Sequence, residues 1–140
     1  MITNYMSKIS GPLLDRIDIH VEVSQVKYEN LNSNEKPETS EQIRVRVNEA
    51  RKIQVERYKK YKIYSNAELT PKLIEKYCKL DDESKEIMEK VFNKMGLSAR
   101  AYNRILKVAR TIADLDKQEN IQAYHIAEAV KYRHLDKKYF

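Results

Sequence analysis

The chain has 140 residues and a formal net charge of +6, with 34% charged residues, two glycines, three prolines and no tryptophan. This length fits one domain, or a small domain with a leader, and the composition favours helices over a sheet-rich fold. No apolar run approaches the roughly 20 residues of a membrane span, and the N-terminus lacks a signal-peptide pattern. We therefore exclude membrane and secreted proteins and expect a cytoplasmic location.

The first informative stretch runs from Ile9 to His20. Gly11-Pro12 interrupts the chain, and a short turn through Leu13-Leu14 leads to Arg16. The apolar run from Ile17 to Val23 predicts a strand. No second strand accompanies it, so we expect this orphan strand to be disordered, to pack loosely on the helices or to pair with another copy.

The rest of the chain divides at a polar segment. Residues 25–39 contain Asn32-Ser33-Asn34 and Pro37, which are typical of a linker. We therefore expect three parts: residues 1–24, the linker at 25–39, and a helical region at 40–140. Four or five helices that share one core are predicted there, so the fold class is mainly α.

The first two predicted helices have recognisable starts. Ser40 is expected to cap a helix that ends near Lys60. Gln54 interrupts its apolar stripe, which consists of Ile43, Val47, Ala50, Tyr58 and Tyr61. Thr70-Pro71 predicts a short helix through Tyr77, because proline is favoured at the first helical position.

Three further helices complete the predicted bundle. Asp81 or Asp82 begins one that ends at Gly96 in a left-handed cap. Ser98 is the predicted N-cap of a long helix, and Gln122 lies near the start of a last helix that ends near Arg133. The residues expected to face the core are Ile87, Met88, Val91 and Phe92, then Ala101, Ile105, Val108, Ile112 and Leu115, then Ile126, Ala129 and Val130.

Positive charge is concentrated on the helix that begins near Ser40. Between Glu41 and Lys62, eight basic residues stand against three acidic ones. Arg44, Arg51 and Lys62 are predicted to share a face close to several tyrosines, a mixture that could track a nucleic-acid backbone with stacking. The candidate nucleic-acid contacts are Arg44, Arg51, Lys59 and Lys62, with Tyr58, Tyr61 and Tyr64 nearby. A solvated helix whose tyrosines pack on the core explains the same pattern, and both interpretations stay open.

The remaining reactive side chains form no catalytic or metal-binding pattern. The histidines His20, His125 and His134 are not spaced as metal ligands, so no metal site is predicted, and His125 is expected to be structural. Cys78 is the only cysteine, so it has no disulfide partner within the chain and is expected to be a buried small apolar residue.

Arg16 and Arg100 each lie at a boundary between predicted elements. Arg100 falls in the first turn of the long helix, near its positive end, and both guanidiniums could reach a phosphate. A phosphate-binding loop needs clustered glycines followed by Lys-Ser/Thr, whereas the two glycines are Gly11 and Gly96. These arginines are therefore expected to act on a nucleotide that is held elsewhere.

Two stretches, Ile9 to His20 and Leu97 to Leu115, resemble the C-terminal part of the magnesium-chelatase-like AAA+ ATPases of the YifB/ComM kind. The resemblance extends from about Tyr5 to Asp136. Its other features are Ile19 to Val23, Asn66 to Leu69, Tyr77 to Asp81 and His125 to Arg133.

The resemblance implies roles for both arginines. Arg16, in the Leu-Leu-Asp-Arg-Ile-Asp motif, is similar to the arginine finger that reaches the γ-phosphate bound by the neighbouring subunit. Arg100, which follows Ser-Ala, is similar to the sensor 2 arginine of the lid. In the related ATPases an inserted helix ahead of the lid repositions it, and the helix that begins near Ser40 resembles that element.

The chain departs from the family in lacking the Walker A loop, the Walker B carboxylates and sensor 1. It is therefore expected to be a fragment that cannot hydrolyse ATP by itself. The resemblance implies ATP and Mg²⁺ as cofactors of the intact protein, with neither expected on this chain alone. It also implies an AAA+ core and neighbouring subunits as partners, in a ring, expected to be hexameric, that moves on DNA during recombination or natural transformation.

Three functional hypotheses remain. In the first, the chain supplies Arg16 and Arg100 to ATP hydrolysis in a helicase-like ring. In the second, it is a basic helical module whose salt-dependent DNA binding depends on Arg44 and Arg51. In the third, it is a non-catalytic domain that binds another ATPase subunit without affecting ATP turnover.

Overall fold

The computed structural model describes residues 4, 5, 7–32 and 34–133. The α-helices of these residues are α1 (Gly11–Arg16), α2 (Ser40–Tyr58), α3 (Pro71–Tyr77), α4 (Asp82–Met95), α5 (Ala99–Leu115) and α6 (Ala123–Lys131). Three short 3₁₀ turns occupy Tyr28–Asn32, Lys59–Tyr61 and Asn66–Glu68. The predicted mainly helical bundle is confirmed.

The helix boundaries follow from local capping chemistry. Thr39, rather than Ser40, caps α2: its hydroxyl accepts from the Gln42 amide at 3.2 Å, and the Gln42 side chain accepts from the Thr39 amide at 2.9 Å. This reciprocal pair satisfies two amides that the first helical turn leaves without partners. Gly96 ends α4 with a φ of 60°, as predicted, because glycine adopts the left-handed conformation without steric cost.

Helix α5 is the centre of the bundle. It contacts α1, α2, α3, α6 and the turn Asn66–Glu68, while α4 packs mainly on α6. Because α5 has neighbours on several sides, its buried set is wider than one stripe and comprises Ala101, Ile105, Leu106, Ala109, Arg110, Ala113 and Asp114. The predicted core positions Val108, Ile112 and Leu115 are only half-buried.

The predicted apolar stripe of α2 holds only in its C-terminal half. Ala50 and Tyr58 are buried with Gln54, whereas Ile43 and Val47 are 41% and 42% exposed. The periodicity of apolar residues identifies the apolar face of a helix, but it does not show which part of that helix packs against a neighbour. The first turns of α2 therefore extend past the bundle.

The predicted strand at residues 17–23 does not form in the part of the chain that the structure describes. Residues 17–27 have no regular secondary structure, and Ile19, Val21 and Val23 are exposed. A strand is stabilised by hydrogen bonds to a neighbour, and no neighbouring strand is present among the described residues. The absence of a strand here agrees with the sequence, in which no second strand was predicted to pair with it.

A buried carboxylate joins α2, α5 and the turn Asn66–Glu68. Asp114 accepts from Arg57 Nη1 at 2.9 Å and from Asn66 Nδ2 at 2.9 Å, and it pairs with Arg110 at 3.2 Å. The side chains of Asp114 and Arg110 are 0% and 4% exposed. Two guanidiniums therefore surround one carboxylate in the interior of the bundle, where an unpaired charge would be costly.

Neighbouring polar groups complete this buried network. The Tyr58 hydroxyl donates to Asn66 Oδ1 at 2.6 Å, and the backbone amide of Asn66 donates to Gln54 Oε1 at 3.0 Å. Burial alone would lower the pKa of Arg57, but its hydrogen bonds to Asp114 and Tyr58 outweigh that effect and raise the pKa. The Arg57 guanidinium therefore remains charged beside the carboxylate.

Cys78 is buried, as predicted, at 4% exposure, and its thiol is free. Burial raises the pKa of this thiol to about 11, so it is protonated at neutral pH and acts as a small apolar side chain. Within the described residues, none of the helices has the length and apolar composition needed to cross a membrane.

We predict that Asp114→Asn lowers the free energy of unfolding by about 3–5 kcal/mol, because it leaves the buried Arg110 and the partly buried Arg57 without a counter-charge. Urea unfolding measures this loss. The matched control is Asp82→Asn, which removes a fully exposed carboxylate in the first turn of α4 and should cost under about 1 kcal/mol. Equal losses for the two variants would contradict the assignment of Asp114 as the central polar group.

Candidate functional site

Arg16 lies in the last turn of the short helix α1. Ser10 caps this helix by accepting from the Leu13 amide at 3.3 Å, and Pro12 lies in its first turn. Leu14 is buried, whereas the Arg16 side chain is exposed. The helix α1 therefore packs on the bundle through Leu14, while Arg16 is exposed to solvent.

The two carboxylates that flank Arg16 have other partners. Asp15 Oδ2 accepts from the Ser98 hydroxyl at 2.9 Å, and Asp18 forms an ion pair with Arg104. The simplest structural role for Arg16, a surface pair with either aspartate, is therefore not observed. No ion pair of Arg16 occurs among the described residues.

Arg100 lies in the first turn of α5, two residues after the N-cap Ser98. The Ser98 hydroxyl accepts from the Ala101 amide at 3.1 Å while it donates to Asp15. One hydroxyl thus caps α5 and holds the C-terminal end of α1 beside the first turn of α5. Arg100 is exposed and forms no ion pair within the part of the chain described. Because Asp15 contacts Ser98, the backbone segments that carry Arg16 and Arg100 both lie at the start of α5.

A small cavity lies between α1 and the start of α5. Its volume is about 160 Å³, and its lining includes Gly11, Asp15, Gly96, Leu97 and Ser98. Asp15 and Ser98, whose hydrogen bond joins α1 to the start of α5, both line this cavity.

Two buried residues for which the sequence predicted no role at this site also hold α1 in place. Arg133 is 1% exposed and donates to the backbone carbonyls of Leu14 and Ile17, the former at 3.5 Å. The His20 amide donates to the Tyr132 carbonyl at 2.7 Å, and the buried His20 ring lies 3.3 Å from the Leu14 carbonyl. These contacts hold the residues on both sides of Arg16 against the end of α6.

The sequence signal for Arg133 was weak. It belongs to the segment from His125 to Arg133 that carried part of the family resemblance, but no local pattern indicated that its guanidinium would be buried. Its acceptors lie 116 and 119 residues earlier in the chain. Only the tertiary fold brings the helix-end carbonyls of α1 next to it.

The predicted nucleic-acid contacts have different local environments. Arg44 and Arg51 are exposed two turns apart on α2 and share a face. Lys59 forms an ion pair with Glu56, and Lys62 lies beyond the end of α2 in a left-handed conformation with a φ of 56°. Because α2 ends at Tyr58, the helical spacing that would place Lys62 on the face of Arg44 and Arg51 does not extend to Lys62.

The tyrosines near these cations have different environments. Tyr58 is 0% exposed and belongs to the buried network, so it cannot stack on a nucleic-acid base. Tyr64 is 64% exposed, and Tyr61 is partly buried. The core-packing interpretation therefore holds for Tyr58, while Tyr61 and Tyr64 remain available to a ligand.

The histidines have structural contacts. His125 is fully buried: its Nδ1 accepts from the Gln122 amide at 2.9 Å, and its Nε2 lies 3.0 Å from Asp116 Oδ2. It therefore caps α6, in agreement with the structural role predicted for it. His134 lies outside the described residues, within which no group of three or more His, Cys, Asp or Glu side chains is arranged to hold a metal ion.

The fold and these contacts define a helical bundle in which the short helix that carries Arg16 is attached to the start of the central helix α5. The family described as magnesium chelatase, subunit ChlI C-terminal, matches residues 37–133, and the family described as magnesium chelatase, subunit ChlI, matches residues 1–31. This chain therefore belongs to the magnesium chelatase ChlI family, as a magnesium-chelatase-like protein of the YifB/ComM type.

The curated relatives are longer than this chain. Competence protein ComM of Haemophilus influenzae is 47% identical over 94% of the chain and 25% of its own length. An uncharacterized protein YifB of Escherichia coli is 40% identical over 95% of the chain and 26% of its own length. An uncharacterized protein of Mycobacterium bovis is 29% identical over 92% of the chain. The chain thus spans about a quarter of the length of these relatives.

We predict that Arg133→Met loosens α1, because the carbonyls of Leu14 and Ile17 lose a buried donor. The expected cost is about 1–3 kcal/mol in unfolding free energy. A larger effect is expected locally: the amides of Ile17 and His20, which form hydrogen bonds in this segment, should exchange with solvent about tenfold faster or more.

Hydrogen exchange followed by NMR measures this loosening. Arg44→Met, which removes an exposed arginine on α2, is the control and should leave both amides unchanged. Unchanged exchange at Ile17 and His20 in the Arg133→Met protein would show that Arg133 does not fix the segment around Arg16.

Proposed function

We propose that this chain is the arginine-finger and lid portion of an AAA+ ATPase, in which Arg16 and Arg100 act on ATP held by other parts of the assembly. The observation that carries the proposal is the arrangement at the start of α5. Asp15 and Asp18 pair with groups other than Arg16, and Ser98 links the helices that carry the two arginines. Arg16 and Arg100 are both exposed, and the Asp15–Ser98 hydrogen bond holds their backbone segments at the start of α5.

The chemistry of phosphoryl transfer explains why arginine is suited to this position. Negative charge spreads over the γ-phosphoryl oxygens in the transition state, and a fixed guanidinium that contacts them accelerates the reaction by about 10³ to 10⁵. The planar fork of arginine donates two parallel hydrogen bonds, which a lysine ammonium cannot do. A rigid attachment increases this effect, because the donor is already oriented before the reaction.

The attachment of α1 to the lid supports a role at a subunit interface. Arg133 holds the backbone on both sides of Arg16, so movement of the helical bundle carries Arg16 with it. A lid that changes orientation with nucleotide state would then move its finger relative to the phosphates of the neighbouring subunit. We therefore propose that lid movement and the position of Arg16 are coupled. ATP and Mg²⁺ would be bound by the intact ring rather than by this chain alone.

Action on DNA is the further part of the proposal. The Haemophilus influenzae relative is named a competence protein, and the chain carries a net charge of +6. Positive charge favours contact with a nucleic-acid backbone. We therefore propose that the intact oligomeric ring, expected to be hexameric, acts on DNA in recombination or natural transformation.

We predict that Arg16→Ala in the full-length protein lowers the kcat of ATP hydrolysis by about 10³-fold or more, with little change in nucleotide affinity, because Arg16 contributes chiefly in the transition state. Arg16→Lys keeps the charge without the planar fork and should recover only part of the rate. The control is Arg44→Ala, which removes another exposed arginine, on α2, and should leave kcat unchanged when ATP hydrolysis is measured without DNA. Unchanged ATPase activity in assembled Arg16→Ala rings would sink the finger assignment.

We predict a different effect for Arg100→Ala. A sensor arginine contacts the phosphates before and during the reaction, so its loss should weaken ATP binding by about tenfold, in line with one charge-assisted hydrogen bond. Titration of the full-length protein with a fluorescent ATP analogue measures the Kd. Lys90→Ala, on the exposed side of α4, should bind the analogue normally. An unchanged Kd for Arg100→Ala would contradict the sensor role.

A further inference from the structure

A groove with a basic rim lies beside the turn Lys59–Tyr61, away from the arginines of the proposed nucleotide site. Its volume is about 810 Å³. Tyr61, Ile63 and Leu73 form its apolar lining, and each is partly buried. Lys72, Lys76 and Lys79 line the same groove.

Helix stability accounts for only one of these lysines, because Lys76 lies in the last turn of α3, where a cation is favourable. Lys72 and Lys76 lie four residues apart on α3, where like charges destabilise a helix. Glu75 is the acidic residue that lines the groove with them. Within the described residues, neither Lys72 nor Lys79 forms an ion pair, and both are exposed. The excess of positive charge is therefore open to an anionic ligand.

Tyr61 and Tyr77 hold part of this charge in place. Lys76 Nζ donates to the Tyr61 hydroxyl at 2.9 Å, and the Lys76 and Lys60 ammonium groups lie 5.6 and 5.5 Å from the centre of the Tyr61 ring. The Tyr77 hydroxyl donates to the Tyr61 oxygen at 3.3 Å. Because the Tyr61 oxygen accepts two hydrogen bonds, its own proton remains available to a ligand oxygen.

The adjoining loop adds an aromatic side chain with a fixed backbone. Tyr64 follows the groove residue Ile63, and its ring is 64% exposed. The Tyr64 and Ser65 amides both donate to one Glu68 carboxylate oxygen, at 2.8 and 3.0 Å. The exposed ring is therefore carried by an ordered loop, which lowers the entropic cost of stacking a flat ligand on it.

We propose that this groove binds single-stranded nucleic acid, with Lys72, Lys76 and Lys79 on the phosphates and base faces against the apolar lining and the adjoining Tyr64. Charge complementarity identifies a polyanion, and the aromatic and apolar surface favours one with exposed planar faces. A duplex keeps its base faces stacked inside, so a single strand fits this lining better. The site differs from the face of α2 that carries Arg44 and Arg51.

The proposal rests on the proposed action on DNA but not on the assignments of Arg16 and Arg100. Its test uses the purified 140-residue chain without ATP, so failure here leaves the ATPase measurements unaffected. The probe is a fluorescein-labelled 20-nucleotide oligo(dT), and binding is followed by fluorescence anisotropy at several salt concentrations.

The decisive comparison is between two double charge reversals. Lys72→Glu with Lys79→Glu should weaken oligo(dT) binding at least tenfold and reduce the slope of log K against log salt by about 1.4, the value for two lost phosphate contacts on a single strand. Arg44→Glu with Arg51→Glu makes the same change in net charge elsewhere and should weaken binding less than about threefold. All four side chains are exposed, so thermal unfolding should show both variants folded.

Three results would overturn the proposal. Equal losses for the two double variants would show that binding depends on overall charge or on the face of α2. Equal affinity for a 20-base-pair duplex would remove the argument for a single strand. Tighter binding of polyglutamate than of oligo(dT) would identify an acidic polypeptide as the better ligand.

Discussion

The buried carboxylate of Asp114 is the constraint on which the rest of the structure depends. It accepts hydrogen bonds from Arg57 on α2 and Asn66 in the following turn, and it pairs with Arg110 one turn earlier on α5. Arg110 also donates to the carbonyls of Gln118 and Glu119, both at 2.8 Å, which fixes the loop that leads to α6. Because an unpaired charge in the interior is costly, the partners have few alternatives, and α2, α5 and the α5–α6 loop have one relative arrangement. The position of α5 in turn determines where Ser98 and Arg100 lie.

The same central helix organises two surfaces with different chemistry. At its N-terminal end, Ser98 attaches α1, and Arg133 secures α1 from α6, so that Arg16 and Arg100 face solvent from fixed backbones. On the side of α3, the turn after α2 and the helix α3 form the groove with Lys72 and Lys79. This arrangement suits the lid role proposed for the bundle, because a buried ion-pair network lies in its core while Arg16, Arg100 and the groove lysines lie on its exterior.

Local chemistry made much of the fold predictable. Pro71, Gly96 and Ser98 each fix a helix end through backbone geometry or a cap, and these boundaries agree with the structure. The exposed half of α2 was not predictable, because periodicity at Ile43 and Val47 does not reveal whether a neighbour exists. The Asp114 network was also hidden, since its partners Arg57 and Asn66 lie 57 and 48 residues away in the chain. The roles proposed for Arg16 and Arg100 came from family resemblance rather than from spacing. What the structure adds is that the carboxylates beside Arg16 pair elsewhere.

The most direct test of the account is a subunit-mixing experiment with the full-length protein. One preparation carries Arg16→Ala, and the other carries an inactivated nucleotide-binding loop with Arg16 intact; each alone should lack ATPase activity. Mixed rings should recover ATP hydrolysis, because some interfaces then combine an intact nucleotide site with an intact Arg16 from the adjacent subunit. Absence of any recovery in rings shown to contain both subunits would contradict the claim that this chain supplies its arginine to a neighbour.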